Sequence, residues 1–457
     1  MAQAFFGGVH PNDMKAATNE KAIEQLAPPA VVVIPMSMHF GAPCTPLVKA
    51  GDHVKVGQKI GEFHGLGAPI HASVSGTVKA VEPRPYSMGG NITSVVIEND
   101  MQDEVSEEVQ APADPNALSV EEMVEIVKNA GIVGMGGATF PTHVKITSGI
   151  GKVNTVIING AECEPYITGD HRTMLERPEE IIGGAKFLAK MFGVDKVVIG
   201  VEDNKRNGID AMNKVIAEQK APVVVEPLRC RYPQGGEKQL CQAITGRQVP
   251  PGGLPADIGC AVFNINTTCA IYRALTTGMP VVRKIVTVSG SGVVEPKNLE
   301  CPIGTPVSSL LDACGGLKDG TYKLIAGGPM MGMAQYTADI SVAKGTGAIL
   351  AFCENEEKTV ENPQCIRCGK CVSVCPMHLE PLFMYQYASK GMVEELNDAH
   401  IMDCMECGAC SYICPARMHL THMFKTGKQL VKDKAAADRA AAEAKKKAEE
   451  AKEAAAK

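Results

Sequence analysis

Two cysteine runs constrain the fold of this chain more than any other feature. Residues 365–376 read CIRCGKCVSVCP and residues 404–415 read CMECGACSYICP. Each run has the spacing C-x2-C-x2-C-x3-C-P, in which three thiolates of one run and the fourth thiolate of the other run hold one 4Fe-4S cluster. The spacing therefore predicts two 4Fe-4S clusters. Their ligands are Cys365, Cys368, Cys371 and Cys414 for the first cluster and Cys375, Cys404, Cys407 and Cys410 for the second.

Structural zinc sites also use paired cysteines and are the alternative for these runs. A three-plus-one pattern in two copies fits zinc poorly, so the clusters are the preferred hypothesis. Clusters of this type transfer one electron at a time, and all their irons are ligated here. A different group must therefore exchange electrons with an organic substrate, and a hydride carrier requires a flavin between itself and the clusters.

Composition and charge exclude several classes of function. A net charge of -6 with only 4% aromatic residues argues against nucleic-acid binding. The longest apolar run near the N-terminus, AVVVI at residues 30–34, is far shorter than the roughly 20 residues that cross a bilayer, and no signal peptide precedes it. We therefore expect a chain without its own transmembrane helix, in a reducing compartment, either cytosolic or bound to a membrane through partners.

The length of 457 residues suggests roughly three domains or more, and the chain is expected to be multidomain, with α/β and α+β parts. The divisions follow changes in pattern along the sequence, including an acidic and proline-rich linker before residue 119. They are an N-terminal arm (1–29), a β module (30–105), an α/β domain with a largely parallel sheet (119–280), an α+β module (281–352), the cysteine-rich domain (353–424) and an Ala/Lys/Glu-rich helical tail (425–457).

The β module resembles the paired halves of biotinyl and lipoyl carrier domains. Carriers present a lysine at the hairpin between the halves, but here the tip reads HGLGAPI at residues 64–70 and has no lysine. A docking module is therefore the better interpretation. In the next domain, Ser119 is expected to cap a helix that stops at Gly131. Apolar runs then predict three strands, at residues 155–159, 196–201 and 222–228.

Four loops of the α/β domain carry chemistry-bearing residues. The stretch GIVGMGGATFPTHVK (131–145) follows a helix, so it is not a Rossmann fingerprint. Its glycine amides can nevertheless approach a phosphate closely, and Lys145 adds positive charge. The other three loops are NGAECEPYITGDHR (159–172), YPQGGEKQL (232–240) and NINTT (264–268). Each loop taken alone is explained by turn chemistry or by its own hydrogen bonds.

In this order, the four motifs resemble the FMN- and NADH-binding subunit of respiratory complex I and its soluble relatives. With the β module in front and the cysteine runs behind, residues 5–420 are similar in layout to the C subunit of the Rnf complex, a membrane-bound, ion-pumping ferredoxin and NAD oxidoreductase. The resemblance implies a barrel-sandwich β module, a Rossmann-like flavin and NADH domain, a β-grasp module of the soluble-ligand-binding type and a two-cluster ferredoxin-like domain, followed by the helical tail.

The resemblance also implies the residues of an FMN and NADH site. Gly134, Gly136, Gly137 and Lys145 would cradle the FMN phosphate and ring edge, and Phe140 would stack near the nicotinamide. The remaining pocket residues would be Asn159, Glu162, Glu164, Tyr232, Gly235, Gly236, Glu237, Asn264 and Thr267. None of them would act as a strong acid or base. Two positions depart from the family pattern, because Ala161 and Gly236 stand where the complex I relatives have acidic residues.

The implied activity is that of a peripheral subunit on the cytoplasmic side of the cell membrane. Its FMN would exchange hydride with NADH, and two 4Fe-4S clusters would relay single electrons to the membrane subunits and the ferredoxin-like iron-sulfur subunit of an Rnf complex that pumps Na+ or H+. One alternative is a non-catalytic iron-sulfur wire and adaptor that has lost nucleotide binding, as Ala161 and Gly236 would suggest. Another is the flavoprotein subunit of a soluble NAD-linked hydrogenase or dehydrogenase.

Overall fold

The computed structural model describes residues 5–354 and 360–455, with the side chains described as far as residue 447. Parts of the expected arm, cysteine-rich domain and tail (1–4, 355–359 and 456–457) lie outside the described residues. The chain divides into two compact units. The described part of the first comprises residues 11–249 and 253–354, and that of the second comprises 5–10, 250–252 and 360–455. Within these residues, no helix is long and apolar enough to cross a membrane.

The β module consists of two small antiparallel sheets. Val32 and Ile34 are buried while Val31 and Val33 are half-buried, the alternation typical of a strand with one face toward a core. The first strand of the chain, β1 (Glu24–Gln25), belongs to another sheet. The strands of this module are β2 (Val31–Pro35), β3 (Thr45–Pro46), β4 (His53–Val54), β5 (Lys59–Glu62), β6 (Ile70–His71), β7 (Gly76–Pro85) and β8 (Asn91–Asn99).

The α/β domain begins with the helix expected after Ser119. In α1 (Val120–Asn129), the Ser119 side chain accepts the amide of Glu122, and the Glu122 carboxylate accepts the amide of Ser119. This capping box satisfies two amides that the first turn leaves without helical partners. The following elements are α2 (Thr142–Gly149), β9 (Thr155–Gly160), α3 (Gly169–Glu176), α4 (Pro178–Phe192), β10 (Val197–Glu202), α5 (Arg206–Gln219), β11 (Val223–Leu228), α6 (Glu237–Thr245), β12 (Cys260–Asn264) and α7 (Ile265–Thr277).

The sheet of this domain is parallel throughout, in the order β11-β10-β9-β12. The three predicted strands are confirmed as β9, β10 and β11. The chain moves outward from β9 to β11 and then returns to place β12 on the other side of β9. The strand order therefore reverses at β9. At such a switch point a crevice is expected outside the carboxyl ends of the strands, here β9 and β12, where α/β sheets usually bind ligands.

A six-stranded mixed sheet follows, in the order β1-β14-β13-β17-β15-β16. Its edge strand β1 comes from the segment 1–29, for which the sequence suggests an arm. In the described part of that segment, Glu24 and Gln25 pair with β14 through the backbone, and Lys15 and Thr18 are buried. The other elements are β13 (Arg283–Ser289), β14 (Lys297–Pro302), α8 (Val307–Ala313), β15 (Thr321–Ala326), β16 (Met333–Gln335) and β17 (Ala348–Cys353).

Lys344 links the three parts of the first unit. Its Nζ donates to the carbonyl of Pro69 at 2.8 Å, in the β module, and to that of Gly131 at 2.6 Å, in the α/β domain. The side chain is 1% exposed. Burial lowers the pKa of Lys344 from its usual value to about 7.

The depressed pKa of Lys344 predicts a pH-dependent stability. Between the pKa of a free lysine and about pH 7 the unfolded chain binds this proton and the folded chain does not, so stability falls as the pH is lowered through this range. The Lys344→Met variant has no ammonium group at this position. The pH-dependent loss of folding stability that Lys344 causes, on the order of 3 kcal/mol, is therefore absent from the variant. The thermal midpoint of the variant, followed from pH 10 to 7, should decline less than that of the wild type. The exposed Lys49→Met is the control, and equal slopes in all three proteins would contradict the prediction.

The second unit is helical around the cysteine runs. It contains α9 (Lys370–Ser373), α10 (Pro381–Lys390), α11 (Val393–Asp398), α12 (Ala409–Ile413) and α13 (Leu420–Ala455). The segment 5–10 packs here, since the Gly8 amide donates to the carbonyl of Val374 at 2.8 Å and Phe5 is buried. The helix expected for the tail is the distal part of α13, whose residues 432–447 are all exposed.

Candidate functional site

The crevice of the parallel sheet is formed by two asparagines at neighbouring strand ends. Asn159 and Asn264 are register partners at the ends of β9 and β12. The Asn159 side chain donates to the carbonyl of Gly235 at 2.8 Å. The Asn264 side-chain oxygen caps α7 by accepting the amides of Asn266 and Thr267. The loops that begin at Asn159 and Asn264 thus lie side by side. The hydrogen bond from Asn159 to Gly235 joins the loop of residues 232–240 to them.

The glycine-rich loop lies against this crevice. It is closed by hydrogen bonds from the Gly134 amide to the carbonyl of Phe140 (2.9 Å) and from the Thr139 amide to the carbonyl of Gly134 (3.1 Å). A Cβ at Gly136 would lie 3.3 Å from the Cβ of Asn264, so the backbone approaches the crevice closely. Gly137 has a φ of 119° and open space around it. An exposed peptide of this kind can approach an anionic ligand.

Two buried side chains hold the peptide that precedes Gly136. The Met135 amide donates to Thr267 Oγ1 at 2.9 Å, and the Met135 carbonyl accepts from Lys284 Nζ at 3.1 Å. Thr267 and Lys284 are both almost inaccessible to solvent. Thr267 of α7 and Lys284 of β13 therefore hold the loop from the protein interior. Its other side, at Gly137, is open.

Lys145 and Glu237 form an ion pair at the rim of the crevice. Lys145 Nζ lies 2.7 Å from Glu237 Oε1 and donates to the carbonyl of Val262 at 2.9 Å. The two side chains are 31% and 41% exposed, so both are accessible to a ligand. Gly236 is the N-cap of α6, which begins at Glu237.

Glu162 and Glu164 have their carboxylates engaged by backbone amides. Glu162 accepts from Asp170 at 2.6 Å and His171 at 3.3 Å, in the first turn of α3. Glu164 accepts from the amides of Met330 (3.1 Å) and Met331 (3.0 Å), and from the Tyr232 hydroxyl at 3.4 Å. Their contacts tie the loop after β9 to α3 and to the loop between β15 and β16.

Burial dominates the electrostatics of these two carboxyl groups. It raises the pKa of Glu162 to about 7 against the opposing effect of the Lys15 ammonium, whose Nζ lies 3.9 Å from Glu162 Oε2. It also raises the pKa of Glu164 to about 7 against the amides of Met330 and Met331. In both groups burial thus outweighs the nearby charges and hydrogen bonds that favour the ionised form.

Sequence reasoning missed a buried charge cluster beneath the crevice. Asp170 accepts hydrogen bonds from the side chains of Asn264 (2.7 Å) and Asn266 (2.6 Å). Lys15 donates to the carbonyls of Glu164 and Ile167. Asp170 lies inside the quoted stretch 159–172 and was identifiable as a carboxylate after a strand end. Lys15 had no signal, because a lone lysine is normally a surface residue.

These residues fit a flavin mononucleotide. The open peptide at Gly137 and the accessible ammonium of Lys145 suit an anionic group. Asn159 and Asn264 fix the strand ends of the crevice through their own hydrogen bonds, and so shape the place for a ring. Of the two departures from the family pattern, Ala161 is buried, and its carbonyl accepts from Lys205 Nζ at 2.7 Å. Gly236 lies at the start of α6, where a glycine is well tolerated as an N-cap.

The eight cysteines of the two runs surround two separate cavities in the second unit. One is lined by Cys365, Cys368, Cys371 and Cys414, and the other by Cys375, Cys404, Cys407 and Cys410. The structure therefore groups the fourth cysteine of each run with the first three of the other. Among the described residues, no group of three or more His, Cys, Asp or Glu side chains is arranged to hold a single metal ion.

The two runs have the same local geometry. Arg367 and Glu406, two residues after the first cysteine of each run, have φ angles of 55° and 57°. Their amides each donate to the thiol of that cysteine, Cys365 or Cys404, at 3.4 Å. Amides aimed at sulfur stabilise the negative charge of a cluster and adjust its potential. The residues thus fit a four-thiolate cluster in each cavity.

The two cavities differ in exposure. Cys365 and Cys368 are exposed, whereas Cys375, Cys407 and Cys410 are buried. Burial also raises the pKa of Cys404 to about 11 and that of Cys407 to about 12. Since thiolates are the ligands of iron, filling this buried cavity must release protons from its thiols.

Four domain families match the chain. They are the RnfC Barrel sandwich hybrid domain (residues 3–102), the Nuo51 FMN-binding domain (127–273), the SLBB domain (285–334) and the 4Fe-4S dicluster domain (357–415). The coarse prediction of a multidomain chain with these four kinds of domain is therefore confirmed. The expectation of FMN and 4Fe-4S clusters as cofactors is confirmed with it.

Curated relatives match over most of the chain. The C subunit of the Na(+)-translocating ferredoxin:NAD(+) oxidoreductase complex of Acetobacterium woodii is 45% identical over 87% of this chain and 90% of its own length. The C subunit of the Proton-translocating ferredoxin:NAD(+) oxidoreductase complex of Clostridium ljungdahlii is 43% identical over 88% of each chain. A solved NAD+-reducing [NiFe]-hydrogenase aligns at 17% identity with a TM-score of 0.48, over 68% of this chain and 63% of its own.

Both of the curated identities extend over most of this chain and most of each relative, and one of the four matched domains is described by the name RnfC. With this coverage, the chain belongs to the family of C subunits of the ion-translocating ferredoxin:NAD(+) oxidoreductase complexes.

Proposed function

We propose that the chain is the peripheral subunit of a membrane-bound complex that transfers electrons between NADH and ferredoxin and couples this transfer to ion translocation. The observation that carries the proposal is the presence in one chain of an FMN-type crevice and two four-cysteine cavities. Such a chain has a site for a two-electron exchange and sites for one-electron relay. The names of the two relatives differ in the ion, Na+ or H+, so family membership leaves the ion open.

In this function the side chains bind and orient rather than transfer protons. FMN, when bound, supplies the exchange between hydride and single electrons. The glycine-rich loop and Lys145 would hold its phosphate, and Asn159 and Asn264 would line the ring pocket at the strand ends. Glu162 and Glu164 fix the loop after β9, through the amide contacts described above, and Thr267 fixes Met135. The ring of Phe140 would stack near the nicotinamide of NADH.

The linings of the two cavities support the assignment of the cluster ligands. Cys365, Cys368, Cys371 and Cys414 hold the exposed cluster, and Cys375, Cys404, Cys407 and Cys410 hold the buried one. Because electron transfer to another protein requires access, the exposed cluster is the one that exchanges electrons with the other subunits. Those partners are the membrane subunits and a ferredoxin-like iron-sulfur subunit, on the cytoplasmic side of the membrane.

We propose a fold for each domain as well. Residues 30–105 are a barrel-sandwich module, 119–280 a Rossmann-like flavin and NADH domain, 281–352 a β-grasp module and 353–424 a ferredoxin-like domain, with 425–457 as a helical tail. The parallel sheet with its crevice at β9 and β12 supports the second assignment, and the mixed sheet with α8 supports the third.

The test uses the full chain, purified without oxygen and loaded with iron, sulfide and FMN. NADH should bleach the flavin and reduce a one-electron dye, and a sample with clusters but no FMN should not reduce the dye. FMN binding and NADH oxidation together exclude the adaptor alternative. If the cluster-loaded protein takes up no FMN, binds no NADH and does not reduce the dye, the adaptor is the correct description.

A further inference from the structure

A turn of the β module lies directly against the glycine-rich loop. The amide of Phe40 donates to the carbonyl of Thr139 at 2.9 Å. The rings of Phe40 and Phe140 have centroids 6.0 Å apart and planes inclined by 36°. The module that resembles a carrier domain therefore places an aromatic ring beside the loop that is proposed to hold the flavin.

The exposure of Phe40 is not explained by packing. The residue is 59% exposed, although a phenylalanine gains free energy from burial. The turn around it is nevertheless tightly held. Gly41 has a φ of 128°, and a Cβ there would lie 1.9 Å from the carbonyl oxygen of Leu66. His39 Nε2 contacts the carbonyl of Ala42 at 3.0 Å. The turn therefore presents the Phe40 ring at one place beside the glycine-rich loop, and loops held by a rigid scaffold commonly carry binding residues.

We propose that Phe40 is a nucleotide-binding residue, and that Phe40 and Phe140 together stack a planar ring of the nicotinamide dinucleotide that exchanges hydride with the flavin. This inference rests on the proposed function and deepens it. The β module then has a role that needs no lysine at its tip, because it supplies one wall of the substrate site. Phe140 follows the open peptide at Gly137 by three residues in the same loop, and Gly137 has open space around it.

Substitution of Phe40 should raise the KM for NADH. Loss of one base-stacking ring by alanine substitution weakens binding by about 5- to 150-fold. In the FMN- and cluster-loaded full chain, Phe40→Ala should raise the KM for NADH in dye reduction by about tenfold. FMN content and kcat should stay within about twofold of the wild type, and Phe40→Tyr, which keeps the ring, should retain the wild-type KM.

Leu47→Ala is the matched control, since Leu47 lies in the same module and is 52% exposed. An unchanged KM in Phe40→Ala, or an equal rise in Leu47→Ala, overturns the inference. A loss of FMN together with the rise in KM also overturns the inference, because it would show that Phe40 is needed to keep the glycine-rich loop folded. Circular dichroism and FMN content of each variant separate these outcomes.

Reduced nicotinamide mononucleotide identifies the ring that stacks. If Phe40→Ala raises the KM for this compound and for NADH alike, the stacked ring is the nicotinamide. If it raises only the KM for NADH, the stacked ring is the adenine, and both results support a stacking role. A wild-type chain that carries FMN but binds no NADH would refute the proposed function itself. Wild-type turnover with no effect of Phe40→Ala would refute only the present inference.

Discussion

Replacing Cys414 by alanine is expected to remove the cluster whose other three ligands lie in the first cysteine run. Cys414 lines the cavity of Cys365, Cys368 and Cys371, although it belongs to the second run by sequence. A 4Fe-4S cluster needs all four thiolates. Cys414→Ala should therefore retain about half of the iron and inorganic sulfide of the wild type. Paramagnetic resonance of the reduced protein should show the signal of one remaining cluster. Cys230→Ala, an exposed cysteine outside the runs, should retain both.

Double substitutions distinguish crossed ligation from ligation within one run. Cys414→Ala combined with Cys365→Ala affects a single cavity, so it should lose no more iron than either change alone. Cys414→Ala combined with Cys404→Ala affects both cavities and should lose nearly all iron. If the first pair empties both sites and the second pair empties one, each run holds its own cluster and the assignment from the cavities is wrong.

The features that were predictable from sequence are those set by local chemistry. The cysteine spacing groups the same residues that the two cavities bring together. The strands β9, β10 and β11 are short apolar runs rich in β-branched residues, and Ser119 and Glu122 form the capping box expected before α1. In each case the residues that determine the structure lie within a few positions of one another, so a local pattern is sufficient.

The features that were not predictable depend on distant contacts. β12 has only five residues, and its position beside β9 creates the crevice. β1 pairs through its backbone while its side chains, Glu24 and Gln25, are exposed, so no apolar pattern marks it. Lys15, Lys284 and Lys344 are buried, but a lone lysine is expected at the surface because its burial is compensated only by groups far along the chain.

The same dependence on distant contacts makes Thr267 decisive for the flavin site. Its hydroxyl accepts the amide of Met135 at 2.9 Å and contacts the carbonyl of Val133 at 3.3 Å, so one side chain of α7 holds two peptides of the glycine-rich loop. Thr267→Val keeps the shape of the side chain and removes both contacts. In the variant the Met135 amide would be buried without a hydrogen-bond partner, which costs about 1–3 kcal/mol. The loop avoids this cost by moving away from its present position.

Thr267→Val should therefore weaken FMN binding by about tenfold or more, while iron content remains that of the wild type. Quenching of flavin fluorescence measures the dissociation constant in the iron-loaded full chain. Thr267→Ser keeps the hydroxyl and should bind FMN as the wild type does. Thr268→Val is the matched control, because the buried Thr268 hydroxyl donates to the carbonyl of Asn264 at the start of α7, at 3.0 Å. Equal weakening in Thr267→Val and Thr268→Val would show that stability of α7, and not the hold on the loop, controls the affinity for FMN.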